Sequence, residues 1–242
     1  MISGYISGDT ANCLWSLPLV RALGVQRLCL HTDGRYRLAV AGASPFTVTE
    51  ASSLRPLLQA QPYLQEICLY AGEPVAYDLD LFRYASDLTY HNVALCMLET
   101  FGRDPRWQAE PWLFVSPEPA EGTVVVHRNR QYPNPQVNWD ELLAPYHGTL
   151  VFVGAPEDHA AFVREVRGVA EVPFYETHDL LEVAQLIAGC RMFIGTQGPI
   201  HAIAEGLKKE LIQVVCERCP NSIFHRPSAR YVPERFMASV VP

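Results

Sequence analysis

Short β-rich runs alternate with stretches of helical period along this chain of 242 residues. That rhythm predicts parallel strands joined by crossover helices. Residues 2–6 read as a first strand. Residues 14–23 read as a helix, with Leu14, Leu17, Val20 and Leu23 at helical spacing and Pro18 blurring its start. Strands are predicted over 27–31 and 66–70, with a helix over 51–60 between them. A longer helix is predicted over 87–100, with Leu88, His91, Leu95 and Leu98 on one face. The pattern then breaks: residues 102–119 are rich in Pro, Trp and charge, and 116–122 read as a linker.

Punctuation is cleaner after the break. Strands are predicted over 123–127, 149–153, 172–175, 192–194 and 211–215. Helices are predicted over 139–143, 157–166, 179–188 and 199–207. The helix over 179–188 turns Leu180, Val183, Ala184 and Ile187 to one side and Glu182 and Gln185 to the other. From Ser222 onward the pattern is weak. The predicted architecture is α/β, with two Rossmann-like domains, 1–115 and 116–242, facing across a cleft; a single long sheet is the alternative.

Composition narrows the function classes. Hydrophobic residues make up 49% and charged residues 19%, enough apolar material for a sizeable core. No apolar run has the length of a membrane span, and the start lacks a basic-then-apolar leader, so the expectation is a cytoplasmic protein. A net charge of −7 argues against a broad nucleic-acid surface. Seven cysteines, an odd number, fit free cytosolic thiols. Cys216 and Cys219 form the only CxxC; it is either a structural pair or half of a zinc site, with His225 nearby in sequence.

Three turns could carry chemistry. The first runs from Gly195-Thr196-Gln197-Gly198 into a helix opening at Pro199. A helix start after a strand offers free N–H groups to phosphate, with His201 in its first turn and Glu205 one turn on. An ordinary strand-to-helix turn reads equally well. The second is His127-Arg128-Asn129-Arg130 after a strand, either a diphosphate clamp or a solvated basic loop. The third is Ser7-Gly8-Asp9-Thr10-Ala11-Asn12, where Asp9 is a helix cap or a general base.

Together these stretches resemble the glycosyltransferases of family nine, the lipopolysaccharide heptosyltransferase type with a GT-B fold. His178 to Cys190, followed by Gly198-Pro199-Ile200-His201-Ala202-Ile203-Ala204-Glu205-Gly206, is similar to the family's "DL…LIAGA" helix and "DSGPxHLAAALG" turn, with Thr196 at a position that is acidic in the family. Val125 to Trp139 resembles its phosphate loop, and Leu150 to Pro156 its "GgP" strand end with Glu157 following. Ser16-Leu17-Pro18 closes a segment like its "GD…LP" turn, in which Asn12 aligns with the family aspartate and Asp9 lies three residues earlier. The segments Gln61-Pro62-Tyr63 and Asp78-Leu79-Asp80-Leu81-Phe82-Arg83 look like a short bacterial and phage subgroup.

The resemblance implies an inverting, metal-independent transferase without a cofactor. Its donor would be a nucleotide-diphosphate sugar and its acceptor an unidentified hydroxyl. Asp9 and Asn12 would be catalytic. Arg128, Asn129, Arg130, Gly154, Glu157, Thr196, Gln197, Gly198, Pro199 and His201 would bind the donor. Asp78 and Asp80 have the spacing of a metal pair but fall in the other half. The alternatives are a non-catalytic nucleotide- or glycan-binding protein, suggested by Thr196 and Asn12, and a sugar-nucleotide epimerase.

Overall fold

The structure, a computed structural model, describes residues 1–32, 45–84, 88, 91–168 and 172–233. The first half contains β1 (Ser3–Ile6), α1 (Thr10–Leu23), β2 (Arg27–Leu30), α2 (Val48–Gln59), β3 (Glu66–Leu69), β4 (Tyr77–Asp78) and α3 (Val93–Thr100). The second contains β5 (Ala120–His127), α4 (Trp139–Leu143), β6 (Leu150–Phe152), α5 (Pro156–Glu165), α6 (Leu180–Gly189), β7 (Cys190–Thr196), α7 (Pro199–Gly206), β8 (Leu211–Val214) and β9 (Ala229–Val232). They form two all-parallel sheets, ordered β3-β2-β1-β4 and β6-β5-β7-β8-β9, so the single long sheet is excluded. No helix among the described residues is long and apolar enough to cross a membrane.

Strand order fixes where a ligand can sit. The chain steps outward from β5 to β6, then returns to lay β7 on the other side of β5. That reversal opens a crevice at the carboxyl ends of β5 and β7, the usual ligand position in open α/β sheets. The first sheet reverses between β1 and β4, beside the Ser7–Asp9 turn.

The core does not stop between the sheets. One cluster joins Leu14, Leu17 and Leu54 of the first half to Leu186, Ile187, Phe193 and Ile203 of the second. Helix α1 packs on α7, and α2 on α6. This explains why α1 is apolar nearly all round: it has sheet on one side and helix on the other. A second cluster, including Val124, Val126, Trp139, Phe152 and Phe162, fills the far face of the second sheet.

Four sequence expectations change. The predicted 87–100 helix begins at Val93, where Asn92 accepts the Leu95 N–H at 2.9 Å; 85–87, 89 and 90 lie outside the described residues. The predicted linker is pinned: Glu118 N–H donates to the Gln185 carbonyl at 2.9 Å, and β5 already starts at Ala120. The predicted 172–175 strand is a single bridge, Phe152 to Phe174, because Pro173 has no N–H to extend the ladder. Strands β4 and β9 were not anticipated.

Candidate functional site

Strand β5 alternates faces, and the alternation continues past its end. Val124 and Val126 point to the α5 side, and Val125 to the shared core. Continuing this period of two, Arg128 pairs with Glu165 of α5 at 2.7 Å, and Arg130 pairs with Asp158 of α5 at 2.7 Å. His127 and Asn129 fall on the other side and line a cleft of about 270 Å³. Both arginines are tied to α5 carboxylates, and the amide between them faces the cleft.

Three further segments build the walls: Gly154 and Ala155 after β6, Thr177 to Leu180 at the start of α6, and Pro199 and Ile200 at the start of α7. Ser53 of α2 reaches in from the first half. A side chain at Gly154 would put its Cβ 3.0 Å from His127 Nδ1, so the backbone itself forms this wall. His127 is buried, and its Nδ1 lies 2.9 Å from the Val153 carbonyl. Its Nε2 has no hydrogen-bond partner among the described residues. Burial holds the ring below the ordinary histidine value, hence neutral at pH 7.

The helix starts at this cleft differ. Helix α6 is capped by Asp179, whose Oδ1 accepts the N–H groups of Leu181 at 2.8 Å and Glu182 at 3.0 Å. Helices α5 and α7 begin at Ala155 and Gly198, and neither has a side-chain cap. Each then has proline at its first position, which costs nothing where the N–H lacks an intrahelical partner. The cleft thus meets two helix starts without a side-chain cap, that of α5 carrying Glu157 and Asp158 in its first turn, and the Asp179 carboxylate. Gly198 (φ 138°) adopts a backbone that other residues rarely do, and a Cβ there would stand 3.3 Å from Asn129 Nδ2.

The other expected donor residues divide. Thr196 is buried, and its Oγ1 accepts the Asn129 N–H at 2.8 Å, so it holds the loop that carries Asn129. Gln197 is buried and turned the other way, donating from Nε2 to the Cys219 carbonyl at 2.9 Å. Glu157 is exposed on the first turn of α5 and is not a cleft wall. His201 was expected to reach the donor from the first helical turn. It is buried against Phe193, its pKa is pushed down to about 3 by burial with Arg226 adding to the effect, and it is not a cleft wall. Its position three residues after Gly198 puts it on the core face of α7.

Asp9 caps α1, with its Oδ1 accepting the Asn12 N–H at 2.7 Å. The residue reaches the surface, yet surrounding protein strips solvent from the carboxyl and raises its pKa above the ordinary aspartate value. The Asn12 N–H and the Arg83 charge oppose this shift. Its charge in turn contributes to raising the Tyr132 hydroxyl in the second half, although loss of solvent is the larger cause there. Asp9 and Asn12 are not walls of the 270 Å³ cleft.

The Asp9 turn is held from behind. Asp80, fully buried, accepts the Ser7 N–H at 3.1 Å and pairs with Arg83 at 3.3 Å, and Arg83 donates to the Ser7 carbonyl at 3.0 Å. The sequence spacing of Asp78 and Asp80 is thus put to use in fixing a loop. Cys216 and Cys219 gather no third metal-ligating side chain among the described residues. Sequence reasoning named His127 only as the start of its turn and missed Ser53 and Asp179 as cleft walls. The period-two rule applied through residue 130 puts His127 on the cleft side.

No protein-family model and no curated protein matches the sequence. Solved structures do. The glycosyl transferase family 9 protein from Veillonella parvula aligns at TM-score 0.59 and 9% identity, over 100% of this chain and 90% of its own. The ADP-heptose lipopolysaccharide heptosyltransferase II of E. coli aligns at 0.54 and 14% identity, over 96% of this chain and 90% of its own. The dodecameric, iron-containing heptosyltransferase TibC, solved with ADP-D-beta-D-heptose, aligns at 0.57 and 15% identity; this chain spans 94% of itself and 61% of TibC. At these identities the likeness is one of fold: two parallel α/β sheets of the kind these transferases carry.

Proposed function

We propose that this protein is a glycosyltransferase. It moves a sugar from a nucleoside-diphosphate donor to an acceptor hydroxyl with inversion and without a metal. The observation that carries the reading is the pair of uncapped helix starts, α5 and α7, facing one cleft beside the strand-order reversal. Open helix ends attract a diphosphate. Asp179, on the third helix start, accepts hydroxyls of the ribose or the sugar. Neighbours in fold that are named for ADP-heptose support a nucleotide-linked sugar as the donor class.

The reaction follows from that placement. Asp9 takes the proton of the acceptor hydroxyl, and the freed oxygen attacks the anomeric carbon. The bond from that carbon to the phosphate oxygen breaks, and the nucleoside diphosphate leaves with the electron pair. Its growing negative charge is met by the N–H groups at the starts of α5 and α7 and by Asn129. In this reading residues 1–115 present the acceptor and residues 116–242 hold the donor. Raising the carboxyl pKa makes Asp9 a stronger base, and moves the acid limb of the rate profile above the ordinary aspartate range.

Asp9→Asn is the test. Asparagine also caps helices, so folding stability is expected to hold within about 1 kcal/mol. Transfer should fall by roughly a hundredfold or more, while nucleotide binding persists. Undiminished turnover removes Asp9 as the base. One observation favours a second reading, a nucleotide- or glycan-binding protein without transfer: Asp9 is already engaged as a cap. Under that reading no nucleotide sugar releases its diphosphate with any acceptor offered, and Asp9→Asn changes nothing.

A further inference from the structure

On the first sheet, one face packs Leu28 and Ile67 into the core, and the opposite face carries a different chemistry. Cys29 of β2 and Cys68 of β3 are directly paired in the parallel register, so their side chains leave the sheet on the same side. Their sulfurs lie 2.9 Å apart. Glu73, in the loop after β3, brings Oε1 to 3.7 Å from Cys29 Sγ. The ligand atoms of all three residues fall within 4.8 Å of one another.

The structure assigns these three residues to a new metal site: we propose that Cys29, Cys68 and Glu73 bind one thiophilic divalent cation of the zinc class, with water completing a tetrahedron. Three features support the choice. Two sulfurs and one carboxylate oxygen are a donor set that selects zinc-class ions over hard cations such as Mg2+ and Ca2+. The carboxylate is already oriented from outside: Arg27 Nη2 donates to Oε1 at 3.0 Å, and the Ala71 N–H donates to Oε2 at 2.8 Å. Such outer partners fix metal-ligating carboxylates. Charge is balanced to within one unit: two thiolates, Glu73 and Glu66, which also pairs with Arg27 at 3.2 Å, bring four negatives against the three positives of the ion and Arg27.

Solvent reaches the group, because Cys68 and Glu73 are only half-buried. The three residues share no member with the cleft proposed for the donor. The ion would therefore act structurally, tying β3, which among the described residues pairs only with β2 at the end of the sheet, to its neighbour and to the following loop. The inference does not depend on the transferase reading.

The experiment uses the whole chain, stripped with chelator and titrated with Zn2+, and in parallel with Co2+, whose thiolate charge-transfer band reports sulfur ligation. The wild-type protein should take up an equivalent of Zn2+ that Cys29→Ser/Cys68→Ser loses and Cys216→Ser/Cys219→Ser keeps. Glu73→Gln should weaken that uptake by about tenfold or more and blue-shift nothing in the sulfur band. Zn2+ should raise the thermal midpoint of the wild type and leave that of Cys29→Ser/Cys68→Ser unmoved. Zn2+ uptake unchanged in Cys29→Ser/Cys68→Ser overturns the site. So does a Cys29–Cys68 disulfide in protein purified without added oxidant, seen as fewer than seven titratable thiols in the unfolded chain.

Discussion

The turns after β1 and after β7 look alike in sequence and differ in what completes them. Each runs from a strand through a glycine of positive φ, Gly8 or Gly198, into a helix. After β1 the chain supplies a cap and an anchor of its own. Asp9 caps the helix, Arg83 occupies the space a Gly8 side chain would need, and Asp80 anchors Ser7 from behind. After β7 there is no side-chain cap, and the helix start faces the cleft with Asn129 beside Gly198. A turn whose donors are met by its own chain holds a group still. A turn whose donors are left open can hold a ligand. The first suits a positioned carboxylate and the second an anion.

Asp80→Ala should break the first turn hardest. It strands the buried Arg83 charge and leaves the Ser7 N–H without its acceptor. Removing one partner of a buried pair costs about 3–5 kcal/mol, and chemical denaturation will read it. Acid should act on the second half through His201. Its folded value near 3 lies below the ordinary 6.5, so the unfolded chain binds the proton first. Stability is therefore full above pH 6.5 and falls as pH drops, by roughly 3 kcal/mol at pH 4 from this residue alone. A denaturation series with pH should show that slope, and His201→Gln should flatten it.

Gly198→Ala tests the open turn. The strained backbone should cost about 1–3 kcal/mol, and nucleotide affinity should fall with it, because the helix start shifts against Asn129. Last and smallest, Arg130→Ala should change stability by less than about 1 kcal/mol and leave nucleotide affinity within a fewfold. It removes a largely exposed ion pair on the α5 side. A large loss of binding in that variant would restore the arginine clamp and weaken the helix-end account.

Much of this was legible in the sequence, for reasons that also explain the gaps. Helix α6 and the turn at Gly198 carry strong local signals: a capping Asp179, a clean apolar stripe, and a glycine-proline helix start. Strand β4 has two residues, too short for alternation to stand out, and β9 falls in the weakly patterned stretch after Ser222. The linker reading of 116–122 rested on proline composition, whereas the segment is fixed by a non-local bond from Glu118 to Gln185. Arg128 and Arg130 were assigned by charge, by their place at a strand end and by likeness to a phosphate loop. Their pairing depends on where α5 lies, and only the strand period hints at it. His201 looked available because polar residues near helix starts commonly are, but the shared core buries that face of α7.

The central claim is that the open starts of α5 and α7 bind a diphosphate. The direct measurement is a calorimetric titration of the protein with ADP, UDP, GDP and CDP, each beside its nucleoside, followed by a crystal structure with the tightest binder. The account predicts that one diphosphate binds at least about tenfold tighter than its nucleoside, with its phosphates against the backbone between Gly198 and His201 and near Ala155. Phosphates seated instead on Arg128 and Arg130, or equal affinity for nucleoside and diphosphate, would contradict it.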